Sequence, residues 1–203
     1  LDLASASQVR RAFEEIQEAA DPGSKPRGVS VQPMQRRSTI EVLVGARKDP
    51  DFGPAILFGW GGTAAELIED TSVALVPLNR LLARRLMQRT KICRLLEGFR
   101  GGPAARLEAF EEMLVCLSHL MTDFAEIVEL DMNPVVIDGG GGPLALDARI
   151  KVAQSAVPAP EHLVISPYPN EYEYDLVRTD GLTLFIRPIQ PEDAPLLEAL
   201  FDV

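Results

Sequence analysis

With 203 residues, 46% of them hydrophobic, the chain can bury one ordinary core and carry one domain plus a remnant of another. Its 30 acidic residues against 20 basic ones give a formal charge of -10, which excludes broad attraction to nucleic acid or to an anionic membrane. Cys93 and Cys116 match no metal-ligand spacing and read as two buried thiols of a reducing compartment. No apolar run approaches the roughly 18 residues that span a bilayer, and LDLASASQVRR is not a signal peptide, so a cytoplasmic globular protein is expected. Both ends, Leu1 and EALFDV, read as cut from something longer.

Ser5 and Gln8 have the spacing of a capping box, and Val9, Ala12, Phe13, Ile16 and Ala20 recur at helical intervals until Asp21-Pro22-Gly23. Val29–Met34 and Thr39–Ala46 read as strands rich in branched residues, joined by the polar QRRS. The run from Asp49 to Pro54 is turn chemistry, followed by a buried strand at Ala55–Phe58 and by Gly59, Gly61 and Gly62. Leucines from Leu78 to Glu97 recur at helical spacing among six basic residues, a pattern that reads as a solvated helix face. A second helix, about Ala104–Met121, turns Leu107, Phe110, Met113, Leu114 and Leu117 inward and Glu108, Glu111 and Glu112 outward. Ile127–Ile137 and Leu144–Val152 are the next strands. Strands and helices mixed in this way predict an α/β (α+β) fold, a mixed sheet flanked by helices.

The four prolines of Ala153–Asn170 predict a stiff linker. After it, Leu182–Ile186 alternates as a strand and Pro191-Glu192-Asp193 opens a helix. The resulting organisation is 1–26, 27–152, a linker at 153–172, and 173–203.

ELDMNPVVIDGGGGPLALD, residues 129–147, holds the chemistry. Alternate side chains of a strand share a face, so Glu129, Asp131 and Asn133 point one way and Leu130 and Met132 the other. Asp147 lies fourteen residues beyond Asn133, and a hairpin turning at the glycines brings the two onto one face. An amide oxygen and a carboxylate are hard ligands of the kind Mg²⁺ takes, with water and phosphates completing its shell. Equally, Asn133-Pro134 and the acids can cap bends and sit in solvent. Spacing leaves both readings open.

GVSVQPM, TIEVLVGARKDPDFGPAILFGWGG, LLEGFRGGP, ELDMNPVV and LALDARI, in this order over Gly28–Val152, resemble the ATP-grasp region of NDP-forming acyl-CoA synthetases. The resemblance implies a second ATP-grasp lobe at 27–152 preceded by the end of the first, with Mg²⁺ held by Asn133 and Asp147. Asp131 falls on the acidic position that faces the phosphate or phosphohistidine. Val31, Gln32, Pro33 and Met34 fall on the hinge whose backbone meets adenine, and Glu41 either reaches the nucleotide or is a surface strand carboxylate. Gly59-Trp60-Gly61-Gly62 offers N–H groups for an anion or simply tight packing, and Arg100 a phosphate contact or a partner for the helix after it. His119 and His162 match no phosphohistidine motif and read as structural.

DGLTLFIRPIQPEDAPLLEALF resembles the first strand and helix of a GNAT acetyltransferase. Following a synthetase-like segment, it resembles bacterial protein lysine acetyltransferases that fuse the two modules. This implies ATP/ADP and Mg²⁺ in one part, acetyl-CoA or CoA and protein lysines in the other, and a homo-oligomer as a possible assembly. The alternatives are an ADP-forming acyl-CoA ligase and a noncatalytic regulatory or oligomerisation lobe. Either way the 203 residues alone are expected to be inactive.

Overall fold

The computed structural model describes residues 3–20, 28–35, 40–62, 65–99 and 104–201. These fall into two units, Leu1–Arg37 and Ser38–Val203. In the first, the Ser5 hydroxyl accepts the Gln8 N–H at 3.3 Å and the Gln8 amide oxygen accepts the Ala4 N–H at 2.7 Å, starting helix α1 at Ala6–Ala19. The predicted strand at Val29–Met34 is absent: residues 28–35 have no regular secondary structure, and Val31 and Met34 are exposed. Branched residues favour a strand only where a neighbour completes its ladder, and Pro33 has no N–H to offer one. The helix stop at Asp21-Pro22-Gly23 lies outside the described residues.

In the second unit β1 (Glu41–Asp49) returns through a tight turn into β2 (Gly53–Trp60). One carboxylate oxygen of Asp49 accepts the N–H groups of Asp51 and Phe52, each at 2.9 Å, and these bonds hold the Asp49 carboxyl below its ordinary value. Gly53 closes the turn at φ +69°. A one-turn helix α2 (Ala65–Ile68) leads to β3 (Thr71–Leu75), helices α3 (Arg80–Gln88), α4 (Lys91–Leu96) and α5 (Leu107–Asp123), and then the long strand β4 (Ile127–Ile137). The chain comes back along one edge of β4 in two pieces, β5 (Pro143–Ala145) and β6 (Ala148–Val152). The sheet order is β3-β2-β1-β4-β5, with β6 also on β4.

The α/β class holds, with one correction. Every pairing in this sheet is antiparallel rather than mixed. Neighbours β1–β2 and β4–β5 are joined by short turns, which only antiparallel strands allow, and the α3–α5 excursion brings β4 back against β1 in the opposite sense.

One face of the sheet, carrying Val42, Val44, Ala46, Ile56, Phe58, Leu130 and Val135, is buried with Leu86, Met87, Phe110, Leu114 and Met121 of α3 and α5. These side chains form the core. The expected single helix over Leu78–Glu97 is two, because the Asp70 carboxylate accepts the N–H groups of Lys91 and Ile92 at 2.8 Å and caps a fresh start after Thr90. Glu111, expected outward, is buried, since Arg84 reaches over and binds it at 2.6 Å. Cys93 is buried as expected; Cys116 is exposed, on the outer face of α5 with Glu112 and His119.

Residues 153–172 lie in the same unit as the sheet. His162 is buried and its Nε2–H donates to Met121 O at 2.9 Å, while Lys48 Nζ donates to Ala125 O and Ser155 Oγ at 3.2 Å. Beyond them β7 (Tyr174–Val177) and β8 (Thr183–Ile186) pair as a separate hairpin, followed by a 3₁₀ turn at Pro191–Asp193 and helix α6 (Ala194–Phe201). The strand and the helix opening at Pro191 are as predicted; β7 was not foreseen.

Candidate functional site

Polar residues collect on the face of the sheet opposite the core. Cross-strand partners share a face, so Arg47 lies with Glu129, Gly45 with Asp131, and Asp131 with Arg149, all opposite the core-facing Val44–Met132 and Ala46–Leu130 pairs. Gly45 leaves room there: a Cβ on it would stand 3.9 Å from Asp131 Oδ1.

At Asn133-Pro134 the ladder shifts. Val44 pairs with Met132 but Val42 with Val135, so two residues of β4 stand against Leu43 alone. This bulge turns Val135 to the core, although strict alternation from Leu130 and Met132 would turn it away. The prediction that Asn133 and Asp147 meet across the hairpin agrees with the register. On the β5/β6 side of β4, Val135 pairs with Ala145 and Met132 with Ala148, while Leu146 N–H donates to Pro134 O at 3.0 Å. Asn133 and Asp147 are the next opposed positions, both left out of the ladder.

Each is oriented by a neighbour. The Gly62 N–H donates to Asn133 Oδ1 at 2.9 Å, and the Arg149 guanidinium holds Asp147 Oδ2 at 3.1 Å. Glu41 begins β1 opposite Val136, and its carboxylate lies against Gly62. The glycine bend is packed tight. A Cβ on Gly59 would strike the carbonyl of Asp70 and one on Gly61 would come within 2.5 Å of the Val42 carbonyl carbon. Gly61 N–H donates to Glu41 O at 2.7 Å, so the N–H groups of Gly61 and Gly62 both serve the protein itself.

Asp131 and Asn133 are half-buried and Asp147 is exposed. A cleft of about 280 Å³ lined by Arg84, Cys93 and Glu111 lies among the helices. Val31–Met34 belong to the first unit, and Arg100 lies outside the described residues. His119 is exposed on α5, and the Nδ1 of the buried His162 has no partner among the described residues. Sequence reasoning weighed Gly62 only as part of an anion-binding or tightly packed bend and gave Arg149 no role. The positions of both were visible, in GWGG and in LDARI, but a partner seventy-one residues away has no sequence signal.

Asn133 and Asp147 fit a magnesium–phosphate group. A carbonyl oxygen has two lone pairs, so Asn133 Oδ1 can accept from Gly62 and still ligate, and Asp147 keeps Oδ1 outside its bond to Arg149. Among the described residues no three His, Cys, Asp or Glu side chains form a metal cage. Two protein oxygens suit Mg²⁺, which keeps waters and takes phosphate oxygens for the rest of its octahedron. Among the described residues, no helix is long and apolar enough to cross a membrane.

A family model described as an ATP-grasp domain matches residues 1–152. The beta subunit of ADP-forming acetate–CoA ligase II from Pyrococcus furiosus is 36% identical over 155 residues, 74% of this chain and 65% of that subunit. A trans-feruloyl-CoA synthase from an unknown prokaryotic organism is 35% identical over 156 residues, 75% of this chain but 22% of that protein. Among solved structures, the dinucleotide-forming acetyl-coenzyme A synthetase 1 of Ca. Korarchaeum cryptofilum in complex with coenzyme A and Mg-AMPPCP has a TM-score of 0.62 at 31% identity. The match covers 75% of this chain and 67% of that one. The chain therefore spans about two thirds of the ligase subunit and about a fifth of the longer synthase.

Proposed function

Because the chain belongs to the ATP-grasp domain family, we propose that it is the nucleotide-holding lobe of an ADP-forming acyl-CoA ligase, which interconverts ATP, acid and CoA with acyl-CoA, ADP and phosphate. The observation that carries this reading is the opposition of Asn133 and Asp147 across the hairpin, in a chain whose relatives are ligases of this kind. In it, Asn133 Oδ1 and Asp147 Oδ1 hold Mg²⁺ with a nucleotide phosphate. When bound, the cation neutralises charge on the phosphates.

Asp131, two residues before Asn133 and beside Gly45, faces the transferable phosphoryl group or the residue that carries it. Glu41 reaches the nucleotide, and the backbone of Val31, Gln32, Pro33 and Met34 meets the purine edge. These nucleotide contacts all fall in the segment proposed as the second lobe, 27–152, which follows the end of the first lobe at 1–26, and CoA is handled by the complete enzyme. The names of the relatives favour this ligase alternative over lysine acetylation. For the acetyltransferase reading, with its protein lysine substrates, there remains only the strand and helix order over residues 182–201.

Calorimetry of the full chain with Mg·ADP tests the proposal. Heat of binding is expected for the native chain, with affinity reduced at least tenfold by Asn133→Ala or Asp147→Ala and reduced similarly by chelation of Mg²⁺. A native chain that takes up no nucleotide supports the noncatalytic lobe instead.

A further inference from the structure

Gly62 sits in the bend after β2 at φ +70°, a left-handed conformation that side chains disfavour. Its N–H points at Asn133 Oδ1, 2.9 Å away. A main-chain N–H only donates, so it selects which end of the amide faces it: the oxygen is turned to Gly62 and the NH₂ group away. The place where a side chain at 62 would go is filled by the carboxylate of Glu41, and the Gly61 N–H bonded to Glu41 O pins the same strand end. Three pieces distant in sequence thus hold one another: the start of β1, the glycine bend and the bulge in β4.

Among the described residues the Asn133 amide makes no other hydrogen bond. A freely rotating amide offers its NH₂ group, which cannot ligate a cation, as readily as its oxygen. We propose that Gly62 is a positioning residue for the cation site: its N–H locks Asn133 with Oδ1 presented, and Glu41, wedged against its Cα, keeps that N–H aimed. The inference rests on the reading of Asn133 as a ligand of the cation. Groups that orient metal ligands typically contribute about ten- to a hundredfold to metal affinity, which sets the size of the expected effect.

The test is Mn²⁺ binding to the full chain, followed by electron paramagnetic resonance with ADP present, beside ADP binding in EDTA. Gly62→Ala places a methyl group where the Glu41 carboxylate lies, and is expected to weaken Mn²⁺·ADP binding at least about tenfold. That methyl also displaces Glu41, which is proposed to reach the nucleotide, so its effect is not confined to the cation ligand. Glycolic acid at position 62 replaces the N–H by an ester oxygen, adds no atom and leaves Glu41 in place, so it serves even where Gly62→Ala fails to fold; with it Mn²⁺·ADP binding should weaken at least about tenfold while ADP binding in EDTA stays within about twofold of the native value. Equal loss of both affinities with the ester, or no loss of either, overturns the role given to Gly62. A native chain whose ADP binding ignores Mn²⁺ overturns the cation site itself, and this inference with it.

Discussion

Arg149 binds Asp147 through Nε and Nη2 to the same oxygen, Oδ2, both at 3.1 Å, and it stands directly across the ladder from Asp131. One cation of the protein's own is thus bound to one of the two carboxylates that the proposed function uses and is paired in register with the other. The pair is mostly exposed, so it adds little to stability. Its effect is on charge in the site.

Arg149→Ala should therefore leave the melting temperature nearly unchanged and strengthen binding of Mn²⁺ alone by about tenfold at low salt. That is the size of one unit charge removed from roughly 6 Å away from a doubly charged ion in a water-like dielectric. Raising the salt should shrink the difference. Mn²⁺ titrations at two ionic strengths check this, and weaker Mn²⁺ binding in the variant would show that Arg149 instead holds Asp147 in its ligating pose.

Asp70 tests the helix break. Its carboxylate is buried and accepts two N–H groups at the start of α4, and its backbone oxygen accepts the Trp60 N–H at 2.9 Å. Asp70→Ala leaves that main-chain bond and removes the cap, at a cost of about 2 kcal/mol. The urea midpoint should fall accordingly, with faster amide exchange concentrated at Lys91 and Ile92. Uniform loss of protection across the sheet would contradict a local role.

The two cysteines should separate cleanly. Burial, and then the nearby Glu97 and Glu111, push the Cys93 thiol up to about 11, whereas Cys116 is exposed. At pH 8 iodoacetamide should label Cys116 well before Cys93, and Cys93 should react at a comparable rate only in denaturant. Mass spectrometry of the labelled peptides decides it. Prompt labelling of Cys93 in the folded protein would show that α4 opens readily.

Asp193 gives the carboxy-terminal segment a pH dependence. The Arg187 guanidinium, bonded to it at 2.6 and 2.8 Å, and the Gln190 N–H lower its carboxyl from 3.8 to about 2. A carboxyl depressed by folding stabilises the fold fully above the unfolded value and loses that contribution as pH falls through the folded one. The turn before α6 should therefore loosen between about pH 4 and pH 2, and Asp193→Asn should remove this transition. Amide chemical shifts at Gln190 and Asp193 report it.

Much of the sheet was legible because its reasons are local. The alternation in IVELDMNPVVI, the DPDFG turn and the apolar stripe of Phe110, Leu114 and Leu117 each depend on neighbours a few residues away. What escaped depends on distant partners. Nothing around Glu111 says that Arg84 will cover it, and nothing around Thr90 says that Asp70 will cap the next residues. VSVQPM has strand-forming residues but no ladder to join.

The candidate site divides in the same way. The opposition of Asn133 and Asp147 follows from hairpin arithmetic, and its two halves are written within nineteen residues. The parity change at Asn133-Pro134 does not, because a bulge is set by how β4 meets β1. Nor does the lock from Gly62, which needs the bend after β2 to fold against β4.

The split of the returning strand into β5 and β6 gives the turn at Asp138–Gly142 a meaning beyond reversal of direction. One oxygen of Asp138 takes the N–H groups of Gly140 and Gly142, and Arg106 N–H donates to Gly141 O at 2.8 Å, so the turn is fastened shut and seated on the residue before α5. With its length set, it works as a measuring gauge for the strand that follows. One residue added there and passed down the strand would move Asp147 a step off Asn133 and swing it to the opposite face; two would restore the face and still miss the partner. The length of this turn is what sets Asp147 opposite Asn133.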